Sequence, residues 1–467
     1  MRSCVCRARE GTPVQVNRER LAALLGRERD SFAARHPRSR AAYAAGGANL
    51  LGNVPMTWMN KAAGRFPVYL AEARGATVVD LDGHRYVDLC LGDTAAMAGH
   101  SPEATVAAVR RRYAEAGGAT AMLPTEDAAW VGAELARRFG VPLWSFSLTA
   151  TDANRWAIRL ARLVTGRPKI LVFNWCYHGT VDESFVTLGP DGAASREGNV
   201  GPPVDPAATT RVVEFNDLDA LDRELANGDV ACVLMEPALT NIGIVLPAPG
   251  YLEGVRELTR RHGSLLVNDE THTLSAGPGG CTLAWGLEPD LVTVGKAIAG
   301  GIAAGAYGVS AEVAERVAGR PDADLIDTGG VGGTLAGNAL SVAAMRATLE
   351  HVLTDRAFEH MTGLGTRFTD GIQEVIDACQ VPWSVVQLGA RAEYRFTSPA
   401  PVNGGQSAAA GDDQLDDYLH VYLHNRGILL TPFHNMALMC PATTAADVDR
   451  HTEVFGAAVA ELAGDPG

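Results

Sequence analysis

The sequence predicts an α/β protein: a large, mostly parallel sheet flanked by helices, plus a smaller α+β unit built from both chain ends. Three observations carry this. Short apolar runs alternate with amphipathic helical stretches from about residue 101 to 330. Each apolar run ends in a small or polar residue. After a helix around 337–353 the pattern changes to that of a smaller α+β unit with short strands. In the central region WSFSL, KILVF, ACVLMEP, SLLVND and DLVTVG read as buried strands. WVGAELARRF, NRWAIRLARLVTG and YLEGVRELTRRHG carry the three-to-four spacing of helices. Ligands of such sheets collect beyond the carboxyl ends of the strands.

Before this region, residues 17–45 are charged and helical in pattern, and VYLAEARGATVVDLDGHRYVDLC reads as a β-meander with an Asp-Gly turn. The stretches GPDGAASREGNVGPPVDP (189–206) and GRPDADLIDTGGVGG (319–333) read as long surface loops. After a helix near 337–353, strands are expected at VVQL, AEYRF and GILLT, with an Ala/Gly loop at 400–413 between them. The expected organisation is 1–100 as an N-terminal segment and part of the small domain, 101–335 as the large domain, and 336–467 as the C-terminal small domain.

Composition narrows the function. A net charge of −14 without a basic stripe argues against a nucleic-acid surface. No uninterrupted apolar run reaches the roughly 18 residues of a membrane span. The opening MRSCVCRAREGTPVQ lacks the apolar region of a secretory signal. Eight scattered cysteines form no disulfide framework, so a mostly reduced, cytoplasmic protein is expected.

Only three of the 40 basic residues are lysine: Lys61, Lys169 and Lys296. Arginine serves wherever a permanent cation suffices but cannot form a Schiff base. Lys296 follows an apolar run in DLVTVGKAIAGG, so it stands at a strand end. A Walker loop is excluded, because Asp290 occupies the position of its first glycine and no hydroxyl residue follows the lysine. SLLVND ends in Asp269, and SFSLTATDAN (145–154) turns from strand to helix. In a parallel sheet these three ends open onto one edge. An amine, a carboxylate and a helix N-terminus with hydroxyls match what pyridoxal 5′-phosphate needs at its aldehyde, pyridine nitrogen and phosphate. Thr149 and Thr151 are the candidate hydroxyls, and Tyr177 in WCYHG is placed to stack on the ring.

TATDAN, YHG, MEP, NDETHT, VGKAIAGG and GGTLAGN occur in that order, and over roughly residues 45–455 the chain resembles the class III aminotransferases of fold type I. It is most similar to the branch holding glutamate-1-semialdehyde aminomutase and β-amino-acid or amine transaminases. The resemblance implies a catalytic Schiff-base Lys296 and Asp269 as pyridinium partner. It places Ala150 and Thr151 in the phosphate cup and matches Glu236 to the family's Glu-Pro at a strand end, supporting the residues around the cofactor. It further implies that Thr334 reaches the phosphate of a neighbouring subunit, and so a homodimer with shared sites. Thr271 and His272 stand where relatives have an apolar residue behind the ring and a glutamine on the phenolic oxygen. The cup reads Thr149-Ala150-Thr151 where Ser-Gly-Thr is usual. Ornithine-type relatives have a gating glutamate that is missing from Leu239, Thr240 and Asn241.

For the substrate, Met56 and Trp58 suggest an apolar wall, and Arg391 and Arg395 are candidate carboxylate clamps, with pairing to Glu393 as the alternative. No metal is expected. The expected activity is ping-pong transfer of an amino group from an amine or amino acid to a carbonyl acceptor. An aminomutase or racemase is the alternative.

Overall fold

The computed structural model describes residues 16–321, 323 and 329–464. Strands in chain order are β1 (Leu70–Arg74), β2 (Thr77–Asp80), β3 (Arg85–Asp88), β4 (Leu143–Ser147), β5 (Lys169–Phe173), β6 (Val186–Gly189), β7 (Gly192–Ser195) and β8 (Thr210–Val213). They continue as β9 (Val230–Met235), β10 (Leu265–Asp269), β11 (Leu291–Val294), β12 (Gly305–Val309), β13 (Ser384–Leu388), β14 (Arg391–Arg395), β15 (Ile428–Leu429) and β16 (Met436–Leu438).

The central sheet has seven strands in the order β4-β12-β11-β10-β9-β5-β8. Strand β12 runs antiparallel to both neighbours, and every other pairing is parallel. Two reversals across β12 restore the direction, so β4, β10 and β11 end at the same edge. That is the geometry the strand-end reading requires. Every residue of β9, β10 and β11 is buried, as expected of Val/Leu-rich strands covered on both faces.

The expected helices are present as Glu126–Phe139, Ala150–Thr165 and Tyr251–His262. The meander β1-β2-β3 forms as expected, and its sheet is completed by β15, which pairs parallel to β3 through Ile428 and Val87. Both chain ends therefore share one sheet. Strands β13, β14 and β16 form a separate antiparallel sheet.

Two loop expectations need correction. The 189–206 stretch begins as a hairpin, with β6 and β7 paired from Val186–Ser195 to Gly189–Gly192. The two-residue turn Pro190-Asp191 looked like loop composition, yet it is compatible with a tight reversal that ends on Gly192 at φ 106°. Within 400–413 the chain forms a helix, Gly404–Ala409, whose first turn is capped by Asn403 Oδ1 accepting from Gln406 N at 2.8 Å. Part of the 319–333 loop lies outside the described residues.

Strand β12, GAYGV, has no sequence signature because two of its five residues are glycine. Tertiary contacts explain them: a Cβ on Gly305 would meet the Thr149 carbonyl at 2.6 Å, and one on Gly308 would meet the Trp144 ring at 2.6 Å. No helix among the described residues is long and apolar enough to cross a membrane.

Candidate active site

A cavity of about 660 Å³ opens at the shared strand edge. Its walls include Lys296, Asp269, Thr149, Ala150, Thr151, Tyr177, Glu236, Thr271 and His272, so nearly all the expected cofactor residues converge there. Trp58 also lines it. Met56 does not, and Thr334 is exposed elsewhere.

Asp269 closes β10 and is buried. Its Oδ2 accepts from Asn154 Nδ2 at 2.8 Å and lies 2.9 Å from His178 Nδ1, while Oδ1 accepts from Thr271 N at 3.1 Å. Burial opposes ionisation, but the hydrogen bond and charge of His178, with Thr271 and Asn154, hold the carboxyl below its ordinary range. Burial also disfavours the charged form of His178, yet Cys176 and Asp269 outweigh it and raise the imidazole to about 10. The result is a carboxylate kept ionised deep in the protein. Glu270, the next residue, is turned away. Its carboxyl accepts from Cys281 N at 3.0 Å and Thr282 N at 2.6 Å, which ties down the following loop.

At the other rim, the helix Ala150–Thr165 begins with Thr149 as N-cap, its Oγ1 accepting from Asp152 N at 3.1 Å. Thr151 Oγ1 accepts from Thr180 N at 3.1 Å. The backbones around this helix start are close. A Cβ on Gly295 would sit 3.0 Å from Ala150 Cβ, and one on Gly179, already at φ +75°, would strike Thr151. Helix N–H groups and threonine hydroxyls thus face a space that an anion can enter.

Glu236 is buried below Tyr177, accepting from its N–H at 3.3 Å and from Thr240 Oγ1. Burial raises its pKa, opposed by His178 and Thr240. The Thr271 hydroxyl is buried without a partner.

Lys296 follows β11 with φ +51°, outside the comfortable region for a side-chain-bearing residue. Three acceptors surround its Nζ: Asp93 O at 3.0 Å, Asp93 Oδ2 at 2.9 Å and His272 Nε2 at 2.6 Å. They match the three donors of an ammonium. Burial, then the charge of Lys296, keep His272 well below its ordinary pKa, consistent with a neutral acceptor. Burial opposes ionisation of Asp93, but His272, Lys296, His434 and Arg391 hold its carboxyl far below the usual range.

Asp93 has no role in the sequence reading. It sits in CLGDTAAMAGH, where Leu91 (φ 43°), Gly92 (58°), Asp93 (49°) and Thr94 (84°) are all left-handed. Each such non-glycine conformation costs of order 1 kcal/mol and persists only where its surroundings enforce it. Here Asp88 Oδ1 accepts from the N–H of Cys90 and of Leu91 at 2.9 Å, and Arg391 donates to Thr94 Oγ1.

This accounts for Arg391. It is fully buried on β14, bracing the Asp93 segment, and does not reach the cavity as a carboxylate clamp. Arg395 likewise turns inward to the Ser407 carbonyl. The alternative pairing with Glu393 is also absent among the described residues: the ion-pair neighbour of Glu393 is His434 at 3.4 Å. Asn154, His178 and Asp93 are the site residues that sequence reasoning missed. The first two lie inside quoted motifs, and Asp93 lies in none.

The aminotransferase class-III family model matches residues 58–459. The chain belongs to the class III aminotransferases. Among curated relatives, it is 34% identical over 446 residues to the glutamate-1-semialdehyde 2,1-aminomutase of Chloroflexus aggregans, covering 92% of this chain and 99% of that one. Among solved structures it is similar to a glutamate-1-semialdehyde aminomutase of Pseudomonas aeruginosa PAO1, a lysine-to-alanine variant in complex with PMP. That likeness has 48% identity and a TM-score of 0.93, covering 96% of this chain and 99% of the other. An omega-transaminase from Sphaerobacter thermophilus is 29% identical with a TM-score of 0.83, covering 91% and 98%. The fold is that of the fold type I enzymes and the cofactor is pyridoxal phosphate. The residues present fit it: a buried ionised carboxylate, a helix N-terminus closed around by glycines, and a lysine amine share one cavity.

Proposed function

We propose that this class III enzyme is an aminomutase of the glutamate-1-semialdehyde type, shifting an amino group between adjacent carbons of one substrate. The likeness to an aminomutase structure at 48% identity over nearly the whole chain carries this reading, against 29% for the omega-transaminase. When bound, pyridoxal phosphate supplies an amino-accepting carbon and an electron-withdrawing ring.

The protein's residues do the rest. Thr149, Ala150 and Thr151 at the helix start hold the phosphate. Asp269, kept anionic by His178 and Asn154, holds the pyridine nitrogen protonated. Tyr177, Thr271 and His272 would hold the cofactor's ring, and Glu236 supports Tyr177 by accepting from its N–H. Lys296 Nζ anchors the cofactor, and when released it moves the proton at the substrate's reacting carbon. Exposed Thr334 is available to a second copy of the chain, in keeping with a cytoplasmic homodimer.

Ping-pong transamination is the second reading, favoured by the aromatic wall of Trp58 and Phe433, whose rings lie 6.1 Å apart. The two separate on the fate of nitrogen. With ¹⁵N-labelled glutamate 1-semialdehyde and excess pyruvate, an aminomutase yields the isomeric amino acid and keeps the label in that carbon skeleton. Label appearing in alanine at the turnover rate would establish the transaminase instead.

A further inference from the structure

The cage around Lys296 Nζ has more acceptors than a cofactor-linked lysine can serve. A nitrogen joined to a carbonyl carbon keeps at most one N–H. Asp93 Oδ2, the Asp93 carbonyl and His272 Nε2 then compete for a single donor. Asp93 Oδ1 has no hydrogen-bond partner even now, and His272 Nδ1 lies 3.8 Å from it. An ionised carboxylate set into a protein wall calls for a cation. Among the described residues no arginine lines the cavity. Lys61, its other lysine, sits toward Phe433, with Nζ 5.5 Å from that ring's centre.

The remaining charged and titratable groups facing Asp93 are accounted for. Arg391 donates to Thr94 and lends its charge to Asp93 from behind without a hydrogen bond to it, His434 Nδ1 lies 3.4 Å from Glu393, and buried Tyr177 and Cys90 are neutral. What Asp93 lacks on the cavity side is a hydrogen-bond donor for its free oxygen, and a substrate ammonium can bring one.

The chemistry of an amino shift, on which this step rests, supplies that cation. The substrate bears an amino group on one carbon and a carbonyl on the next. In the first half, the carbonyl carbon gains a nitrogen and is reduced, with loss of water. In the second half, the carbon that bore the original nitrogen loses it and is oxidised to a carbonyl, with uptake of water; the bound cofactor would supply and take back the nitrogen and the electron pair. Between the halves the substrate is a vicinal diamine, and one ammonium is always off the cofactor. A mutase must retain it, whereas a transaminase releases its product.

We propose that Asp93, through its carboxylate and main-chain carbonyl, is the binding site for this free ammonium, in the place Lys296 Nζ takes in this structure. Asparagine tolerates the left-handed backbone at this position, so Asp93→Asn removes the charge with little change of shape.

The test uses the yellow, cofactor-loaded protein and reads the half-saturation of its spectral change with 1,2-diaminopropane against n-propylamine. Wild type should favour the diamine by about tenfold, the scale of one charge-assisted hydrogen bond. In Asp93→Asn the ratio of the two half-saturations should fall to near one. A wild type without diamine preference, or an Asp93→Asn protein that keeps it, overturns the assignment whether or not the variant folds well. Because this is a binding readout, it is independent of the labelled-nitrogen experiment. Label passing to alanine would sink the aminomutase reading, whereas an unchanged diamine preference would sink only the role of Asp93.

Discussion

The two ends of the cavity are built differently. The cofactor end draws Thr149, Asp269 and Lys296 from the tips of three codirectional strands of one sheet. Its main charge is matched: Asp269 has three hydrogen-bond neighbours at 2.8–3.1 Å. The opposite end is assembled from Trp58, Lys61, Asp93 and Phe433, which belong to three separate connecting segments, and Trp58 is 46% exposed. Asp93 there keeps an oxygen without a partner. One end is finished by the protein itself, and the other is left open for a ligand to complete.

The strongest challenge to this contrast is Asp269→Asn. If the cofactor end depends on a buried anion, turnover should fall roughly 10²-fold or more, the scale of a lost preorganised electrostatic partner. Steady-state rates under saturating cofactor measure it, and a drop below about tenfold would place the electron-sink partner elsewhere.

A pH titration of stability sharpens the same point. The folded pKa of Asp269 is depressed, so its contribution is present above the ordinary carboxyl value near 4 and is lost as pH falls through the folded value. The folded pKa of His178 is raised to about 10, so its contribution is full below the ordinary histidine value near 6.5 and is lost as pH rises toward 10. The pair therefore stabilises most between about pH 4 and 6.5. Thermal unfolding of the cofactor-free protein from pH 6 to 10 should show a decline that His178→Gln flattens.

The smallest effect concerns Thr271, whose buried hydroxyl is unpaired in the protein alone. Thr271→Val should stabilise the cofactor-free protein by about 1 kcal/mol, read as a higher thermal midpoint. A lower midpoint would mean that the hydroxyl is satisfied within the protein.

The strand-end chemistry was legible because it follows from periodicity and residue type. A lysine in an arginine-rich chain, an aspartate closing an apolar run and a threonine-rich turn before a helix are local signals. Their convergence needed only parallel strands. Asn154 and His178 stood within recognised motifs, but their hydrogen bonds to Asp269 join positions 115 and 91 residues apart, a pairing that local pattern cannot express. Strand β12 escaped notice because its glycines answer to Trp144 and Thr149 across the sheet, not to β propensity.

By itself, then, the sequence determined the layered α/β architecture, the cofactor and the strand-end residues that meet in one cavity, since hydrophobic period and strand-end chemistry are properties of short segments. Tertiary structure alone decided that Arg391 is a buried brace instead of a carboxylate clamp, and that Asp93 faces Lys296. Both depend on a left-handed run at 91–94 pinned by a guanidinium from a strand nearly 300 residues later, with side chains 297 positions apart in contact. The folded chain fixes such a contact through packing and desolvation at a distance, and no local pattern in the sequence encodes it.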